Sequence, residues 1–407
     1  EGNACLPSVL MKAGIKSAEM LIAVTEKDEI NLLSCFLASR FKVPKRFARL
    51  RNMEFTEDNK IFSPEELFID QAINPSQIIV ETILKILETP GVVSVAEFAG
   101  GDVLLREFDV PEKAPIAGKS IQDIRSILQM DSFIIVAIVR NGELVIPKAE
   151  DILHAGDRFY TLVDKEFLPF LLPMLNRTLD QVEKIIIYGA TSTSIQLAKM
   201  LEENMRDVCI IEPSREKAHL AADKLERTVV QHGSGTDMDL FNEINMKDAD
   251  FFLALSHDDE NNILSALLAK KYGAKRALVI THDPEYLPIL DSIGMDITIN
   301  PRLITVSGIL KHLRRGRVMS VFKLIEDAEV MEIGVDEDSS IVNKKIAKIK
   351  FPKDAIIGAI LRKGEMLLPN DEITLEAGDS VIVVALPGTI EKIEKLFDRK
   401  RSFLPFR

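Results

Sequence analysis

Thr25-Glu26-Lys27-Asp28-Glu29-Ile30-Asn31 recurs later in the chain as Ser256-His257-Asp258-Asp259-Glu260-Asn261-Asn262, and each stretch follows an apolar run, Met20 to Val24 and Phe251 to Leu255. An apolar run of strand length that gives way to Ser or Thr, then acids, then Asn, reads as a strand leading into a helix. The register holds outward from these stretches: Asn74-Pro75 matches Asn300-Pro301, Gly142-Glu143 matches Gly364-Glu365, and Gly156-Asp157 matches Gly378-Asp379. With so few insertions, a whole domain pair is duplicated and both copies share one fold.

The second copy shows the more complete pattern. Lys184 to Tyr188 is a short apolar run closed by Gly189, and Ile195, Ala198 and Leu201 follow at helical spacing within Ser194 to Glu203. Val208 to Ile211 ends at Glu212, Ala218 to Leu225 reads as helix, Thr228 to Val230 as strand and Asp237 to Ile244 as helix. Phe251 to Leu255 and Ala277 to Ile280 are two further strands. This alternation, with short and almost wholly apolar strands, calls for a parallel sheet covered on both faces, a Rossmann-like α/β unit. The first copy opens at Glu1-Gly2-Asn3, level with His232-Gly233-Ser234. Its first strand, helix and second strand are therefore expected to lie outside this sequence.

Each copy ends in a different texture. Val103 to Val110 and Ala328 to Ile333 read as strands, Gly118 to Ile127 and Ile341 to Ala347 as short helices, then Phe133 to Arg140 and Ala355 to Arg362 as strands. Turns at Asn141-Gly142 and Lys363-Gly364 lead to short strands, and Gly-Asp turns lead to Arg158 to Val163 and Ser380 to Ala385. These are small α+β modules. Helical connectors, Ser76 to Glu88 and Pro301 to Arg314, join them to the Rossmann-like units. Four domains follow: 1–89, a truncated Rossmann-like unit with its connector; 90–178, a small module; 179–325, a second Rossmann-like unit with connector; and 326–407, a second small module.

Composition narrows the function. A formal net charge of −12 over 407 residues argues against a nucleic-acid or anionic-membrane surface, which needs a concentrated excess of Lys and Arg. Cys5, Cys35 and Cys209 are scattered in apolar contexts, as expected of buried thiols in a reducing compartment. No apolar run approaches the roughly 18 to 20 residues that span a bilayer. A cytoplasmic protein is expected, peripheral if it works at the membrane. The six histidines show no paired spacing and there is no C-x-x-C, so no metal site is expected. No catalytic constellation is legible either.

In this order, Gly233-Ser234-Gly235-Thr236-Asp237, the repeated Ser256-x-x-Asp259-Glu260-x-Asn262, Asn300-Pro301-Arg302 with its connector, Arg314-Arg315-Gly316-Arg317 and Glu376-Ala377-Gly378-Asp379 make the whole chain resemble the TrkA family, cytoplasmic regulatory subunits of bacterial Trk potassium uptake systems. The resemblance implies two nucleotide-binding RCK (TrkA-N) domains, each followed by a TrkA-C domain. It further implies NAD, NADH, ATP or ADP as ligand, a membrane potassium-translocating subunit as partner, homo-oligomers formed through RCK domains, a place at the inner face of the membrane, and no turnover of its own. An NAD-dependent oxidoreductase and a ligand-free assembly subunit are the alternatives.

Nucleotide chemistry in such a fold rests on the turn after the first strand, where backbone N–H groups and a helix N-terminus meet a pyrophosphate, and on an acid ending the second strand. The second copy supplies Gly189-Ala190-Thr191-Ser192-Thr193-Ser194 and Glu212. Thr191 and Ser194 stand where the second and third glycines belong, so this turn either seats a phosphate through hydroxyls and Ser192, or merely packs helix on strand. In the first copy Arg49 and Arg51 follow the strand, and an arginine near here contacts nucleotide phosphate in the resembled family. The alternative is pairing with surface acids. Asn3, Thr25 and Asp28 would line the same crevice, with Ser256 the counterpart of Thr25. The connector faces, Ile78, Val80, Ile83, Leu84 and Leu87, and Ile304, Val306, Ile309, Leu310 and Leu313, are expected to bury against another RCK domain.

Overall fold

A computed structural model describes residues 1–52, 55, 66–89, 92–128, 133–177, 182–204, 206–313, 317–324 and 328–398. The Arg314-Arg315-Gly316 part of the basic cluster lies outside them. The second Rossmann-like unit is a six-stranded, wholly parallel sheet with strands in the order Val229–His232, Asp207–Glu212, Lys184–Tyr188, Phe251–Ala254, Arg276–Ile280, Ile297–Ile299. Every residue of Phe251–Ala254 is buried, the mark of a strand covered on both faces. In the first copy the counterparts of the last three strands, Met20–Ala23, Lys45–Arg49 and Gln71–Ile73, form a three-stranded parallel sheet. Sequence reading overlooked Gln71–Ile73 and Ile297–Ile299, each only three residues long and too short to show a period.

Both small domains are five-stranded antiparallel sheets of identical order. The first runs Val92–Phe98, Val103–Asp109, Arg158–Asp164, Phe133–Arg140, Glu143–Val145, and the second runs Arg317–Lys323, Glu329–Gly334, Ser380–Ala385, Ala355–Arg362, Glu365–Leu367. The opening strand of each went unread in the sequence. A helix expected at Ile341 to Ala347 is absent: this stretch is turn leading into a 3-10 segment, Ile346–Lys348, whereas its first-copy counterpart does form the helix Ile121–Leu128. Backbone bonds from Asn343 N–H to Leu375 O and from Ile346 N–H to Ile373 O hold this stretch as Gly118 and Ile121 are held ahead of the first-copy helix, and Pro352 then stands where a helix started at Ile346 would need another N–H. The Gly-Asp turns are pinned alike in both copies. Arg140 forks onto Asp157 at 2.9 and 2.6 Å, and Arg362 onto Asp379 at 2.8 and 2.8 Å.

The two small domains pack sheet on sheet. Phe98, Leu105, Val136 and Leu162 of the first share one buried cluster with Val330, Ala359, Ile382 and Val384 of the second. The sheets approach closely at Gly358, where an added Cβ would stand 2.5 Å from Leu162 Cδ1 and 3.0 Å from Val136 Cγ1.

The connectors make the remaining joint. Pro75–Glu88 is capped by Asn74, whose Oδ1 accepts from Gln77 N–H, and Pro301–Leu313 by Asn300, whose Oδ1 accepts from Arg302 and Leu303 N–H. The first connector buries Ile79, Val80, Ile83, Ile86 and Leu87, and packs on the Ser192–Glu203 helix of the second Rossmann-like unit and on the second connector. The partner domain of this apolar face is thus the other copy in the same chain. Cys35 and Cys209 are buried, and burial pushes both thiols up to about 12. Cys5 is only half-buried.

Gly358→Val should wedge the small-domain sheets apart at a cost of about 1–3 kcal/mol, read from urea unfolding. Gly388→Ala, at a position with open space around its Cβ, is the control and should leave the midpoint unmoved. Equal midpoints for both variants would show that the sheets do not meet as described.

Candidate functional site

Strand order reverses between Lys184–Tyr188 and Phe251–Ala254, and in open parallel sheets the crevice at that switch point is the usual ligand site. Gly189 leaves the first of these strands at φ +95, and a Cβ there would lie 2.8 Å from the Cα of Ser256. Only glycine lets the two loops pass. The Glu212 carboxylate is buried and turned back on the loop, accepting from Ala190 N–H at 2.7 Å and Ser214 N–H at 2.8 Å. Thr191 caps the Ser192–Glu203 helix, accepting from Ser194 N–H at 3.2 Å, with its hydroxyl 2.8 Å from Ser194 Oγ and 3.3 Å from Leu255 O. The residues in the second and third glycine places therefore bond the turn shut. Ser192 is exposed at the first helical position.

Across the crevice an asparagine ties two strand ends together. The Oδ1 of fully buried Asn262 accepts from Ser256 N–H at 3.0 Å and Oγ–H at 2.6 Å, and its Nδ2 donates to Ser256 O at 2.9 Å and Ile280 O at 3.0 Å. The first copy repeats the knot. Asn31 Oδ1 accepts from Thr25 N–H at 2.9 Å and Oγ1–H at 2.7 Å, and Nδ2 donates to Thr25 O at 3.0 Å and Arg49 O at 2.8 Å. Thr25 and Ser256 are thus held as equivalents by a residue that sequence reasoning quoted without giving it a role. Its signal was present: the same Asn closes both repeats.

One helical turn earlier, Asp259 holds the next loop. Its Oδ2 accepts from the N–H groups of His282 and Asp283 at 2.8 and 2.9 Å and from Thr281 Oγ1 at 3.0 Å, while Oδ1 lies 2.9 Å from His282 Nδ1. Burial pushes this carboxyl up, but the His282 contact and the N–H donors outweigh it and hold the pKa below the usual range. Asp28 does the same in the first copy, its Oδ2 accepting from Arg51 and Asn52 N–H at 2.8 Å each. That carboxylate oxygen orients the arginine loop. Asn3 turns on its own loop, Oδ1 accepting from Cys5 N–H at 2.9 Å.

Cations from both copies meet at these loops. Arg49 Nη2 donates to Thr25 O at 2.9 Å, while its Nε is buried without a partner. Burial lowers the Arg49 pKa, the positive charge of Arg51 adds to the effect, Glu26 and Asp28 oppose it, and Arg302, at the start of the second connector, adds a smaller push downward. His257 is lowered likewise, by burial first and then by His282, Lys217 and Arg51. The His257 and His282 rings stand 5.8 Å apart. Arg51 of the first copy thus acts on His257 of the second, and Arg302 of the second acts on Arg49 of the first. The connector caps Asn74 and Asn300 each leave a buried Nδ2 unpartnered. This juxtaposition lay beyond sequence reasoning because periodicity within one copy carries no trace of the other.

Since the Asp259 pKa is held below its unfolded value, its contribution is fully present above the ordinary carboxyl pKa of about 4 and is lost as pH falls through the lowered one. Asp259→Asn should cost about 1–3 kcal/mol at neutral pH, read by denaturant unfolding. The difference from the parent should shrink as pH drops below about 4, and a constant difference down to acid pH would contradict the assignment.

The TrkA-N domain family matches residues 1–75 and 185–301, and the TrkA-C domain family matches 105–166 and 330–398. The chain is 32% identical to the Trk system potassium uptake protein TrkA of Halomonas elongata, over 99% of this chain and 89% of that protein. With the TrkA of Azorhizobium caulinodans identity is 33%, over 97% and 88%. Among solved structures, the GsuK RCK domain superposes with a TM-score of 0.59 at 18% identity, over 97% of this chain and 84% of that one. The GsuK channel bound to NAD gives 0.57 at 17%, over 97% and 70%; at such identities these two likenesses establish the fold. Tandem TrkA-N and TrkA-C domains in the expected order, with relatives matched over nearly the whole chain, place this protein in the TrkA family of Trk system potassium uptake proteins.

Proposed function

We propose that this chain is the nucleotide-responsive regulatory subunit of a potassium uptake system, binding NAD(H) or an adenine nucleotide in its Rossmann-like crevices and passing the bound state to a separate potassium-translocating membrane protein. The observation that carries the reading is the gathering of Arg49, Arg51, Arg302, Lys217, His257 and His282 at the carboxyl ends of the two sheets, in a chain of net charge −12. Glu26 and Asp28 offset part of this charge at Arg49, and like charges at close range favour a further anion among them. A buried guanidinium N–H without a partner adds an unsatisfied donor that a phosphate oxygen would answer.

The first-copy crevice is the better phosphate site, since Arg51 is exposed and Arg49 keeps a free donor, whereas the Gly189 turn has already spent Thr191, Ser194 and Glu212 on itself. Because the cations come from both copies, a ligand there holds the copies at one angle. Regulation needs only that its affinity differ between two angles.

No helix among the described residues is long and apolar enough to cross a membrane. Such a subunit reaches the membrane through its partner, from the cytoplasmic side. Self-association is supported by exposed apolar side chains on the second Rossmann-like unit, Leu264 and Leu267 on the helix Asp259–Lys271 and Ile289 and Ile293 on and just after the helix Leu287–Ser292, with Tyr286 Oη, just ahead of the latter helix, donating to Glu260 at 2.7 Å.

Titration of the full-length protein with NADH, NAD, ATP and ADP should show binding, and Arg49→Ala with Arg51→Ala should weaken it on the order of tenfold or more. Undiminished affinity in that variant would remove the first-copy site. Leu264→Asp with Ile293→Asp should lower the mass seen by light scattering, and an oligomer that persists would place the interface elsewhere. Loss of the protein should impair growth at low potassium in a strain without other uptake systems; normal growth there would sink the potassium assignment and leave the nucleotide site standing.

A further inference from the structure

The second small domain carries a cavity of about 380 Å³ between the loop ahead of Ala355–Arg362 and the helix Ile390–Phe397, lined by Lys350, Pro352, Lys353, Asp354, Thr389, Lys392 and Leu396. Its wall is fixed: buried Thr389 donates from Oγ1 to Asp354 O at 3.3 Å and to Leu386 O at 2.8 Å, and Leu386 N–H donates to Asp354 O at 3.0 Å. Three lysines and one aspartate share this lining. None of the three lysines makes an ion pair among the described residues, whereas the neighbouring Lys345 and Lys395 pair with Glu372 and Glu391.

The duplication supplies an internal control. In the register that lays Gly156-Asp157 over Gly378-Asp379, the first copy has Leu128 for Lys350, Asp131 for Lys353 and Phe170 for Lys392. Both copies build the same five-stranded sheet, so the fold does not require lysine at these places. What distinguishes the copies here is charge. Three unpaired cations around a pocket within the usual size range of ligand sites, beside the apolar surfaces of Pro352 and Leu396, suit an anion with an organic part.

We propose that this cavity binds a phosphate ester, with Lys350, Lys353 and Lys392 on the phosphate and Pro352 and Leu396 against the organic moiety. It is a second anion site, remote in sequence from the nucleotide crevices and independent of them. A soluble nucleotide and an anionic lipid headgroup present the same phosphate chemistry, and the test separates them.

Lysine acetylation by an N-hydroxysuccinimide ester, followed residue by residue by mass spectrometry on the whole protein, is the measurement. AMP, or vesicles of phosphatidylglycerol in phosphatidylcholine, should slow acetylation of Lys350, Lys353 and Lys392 roughly threefold or more, as charge-assisted contacts shield the amines. Adenosine and plain phosphatidylcholine vesicles should not. AMP alone protecting assigns a soluble ester, and anionic vesicles alone protecting assigns a headgroup. Lys353→Gln with Lys392→Gln should abolish protection at Lys350, and Arg49→Ala with Arg51→Ala should leave it intact, so failure here and failure of the crevice reading are distinct results. No protection by either probe, equal protection by adenosine, or protection that survives Lys353→Gln with Lys392→Gln overturns the proposal.

Discussion

The first connector helix, buried against the opposite copy, is the contact on which the rest of the arrangement depends. Ile79, Val80, Ile83, Ile86 and Leu87 enter the same cluster as Leu197, Ala198 and Leu201 of the second Rossmann-like unit, and as Leu104, Phe108 and Phe159 of the first small domain. A fully buried aliphatic side chain contributes about 1.5–3 kcal/mol, so five of them make this joint comparable to the net stability of a domain. The copies therefore behave as one body at this seam. Motion between them has to occur by small rotations about the packed helices, since pulling the helix free would expose the cluster.

That seam puts the crevices where they are. With the first connector lying on the Ser192–Glu203 helix and on the second connector, the carboxyl ends of the two sheets are brought within electrostatic reach, Arg51 to His257 and Arg302 to Arg49. The loops that carry these cations are held by short acceptors whose bonds stay inside one copy: Asn31 and Asn262 between strand ends, Asp28 and Asp259 beneath the next loop. Such buried polar knots are costly to break because every lone backbone group left behind loses its partner. They fix the geometry of each crevice from within its own copy.

Much of this was legible in the chain. The repeat, the Rossmann-like alternation, the small domains and the two connectors follow from apolar period and turn residues, which act over a few neighbouring positions. The three-residue strands Gln71–Ile73 and Ile297–Ile299 escaped because their pairing is decided by the sheet they join. Ile341 to Ala347 has the spacing of a helix, but the chain makes only the 3-10 segment Ile346–Lys348, with Pro352 standing where a helix would continue. At the site, Glu212 and Thr191 were picked out by position in the Rossmann pattern, and Arg49 by the family resemblance. Their bonds reveal what a pattern cannot: Glu212 and Thr191 serve the turn, and Arg49 keeps a donor in reserve. The cross-copy cations were beyond sequence because tertiary packing alone makes them neighbours.

Duplication explains why the two copies need not do the same work. Once two equal folds are joined through a shared core, each position has a twin that can hold the structure while the other changes. The Gly189 turn of the second copy is closed on its own hydroxyls, yet Arg302 of the second copy acts on Arg49 of the first, and Arg51 of the first acts on His257 of the second. In the small domains the copies differ again: the first has Leu128 and Phe170 where the second has lysines. Both asymmetries leave the shared elements in place, the Asn knots and the Arg-Asp forks recurring bond for bond. What the pair conserves internally is the frame, and what it varies is charge at the places a ligand can reach.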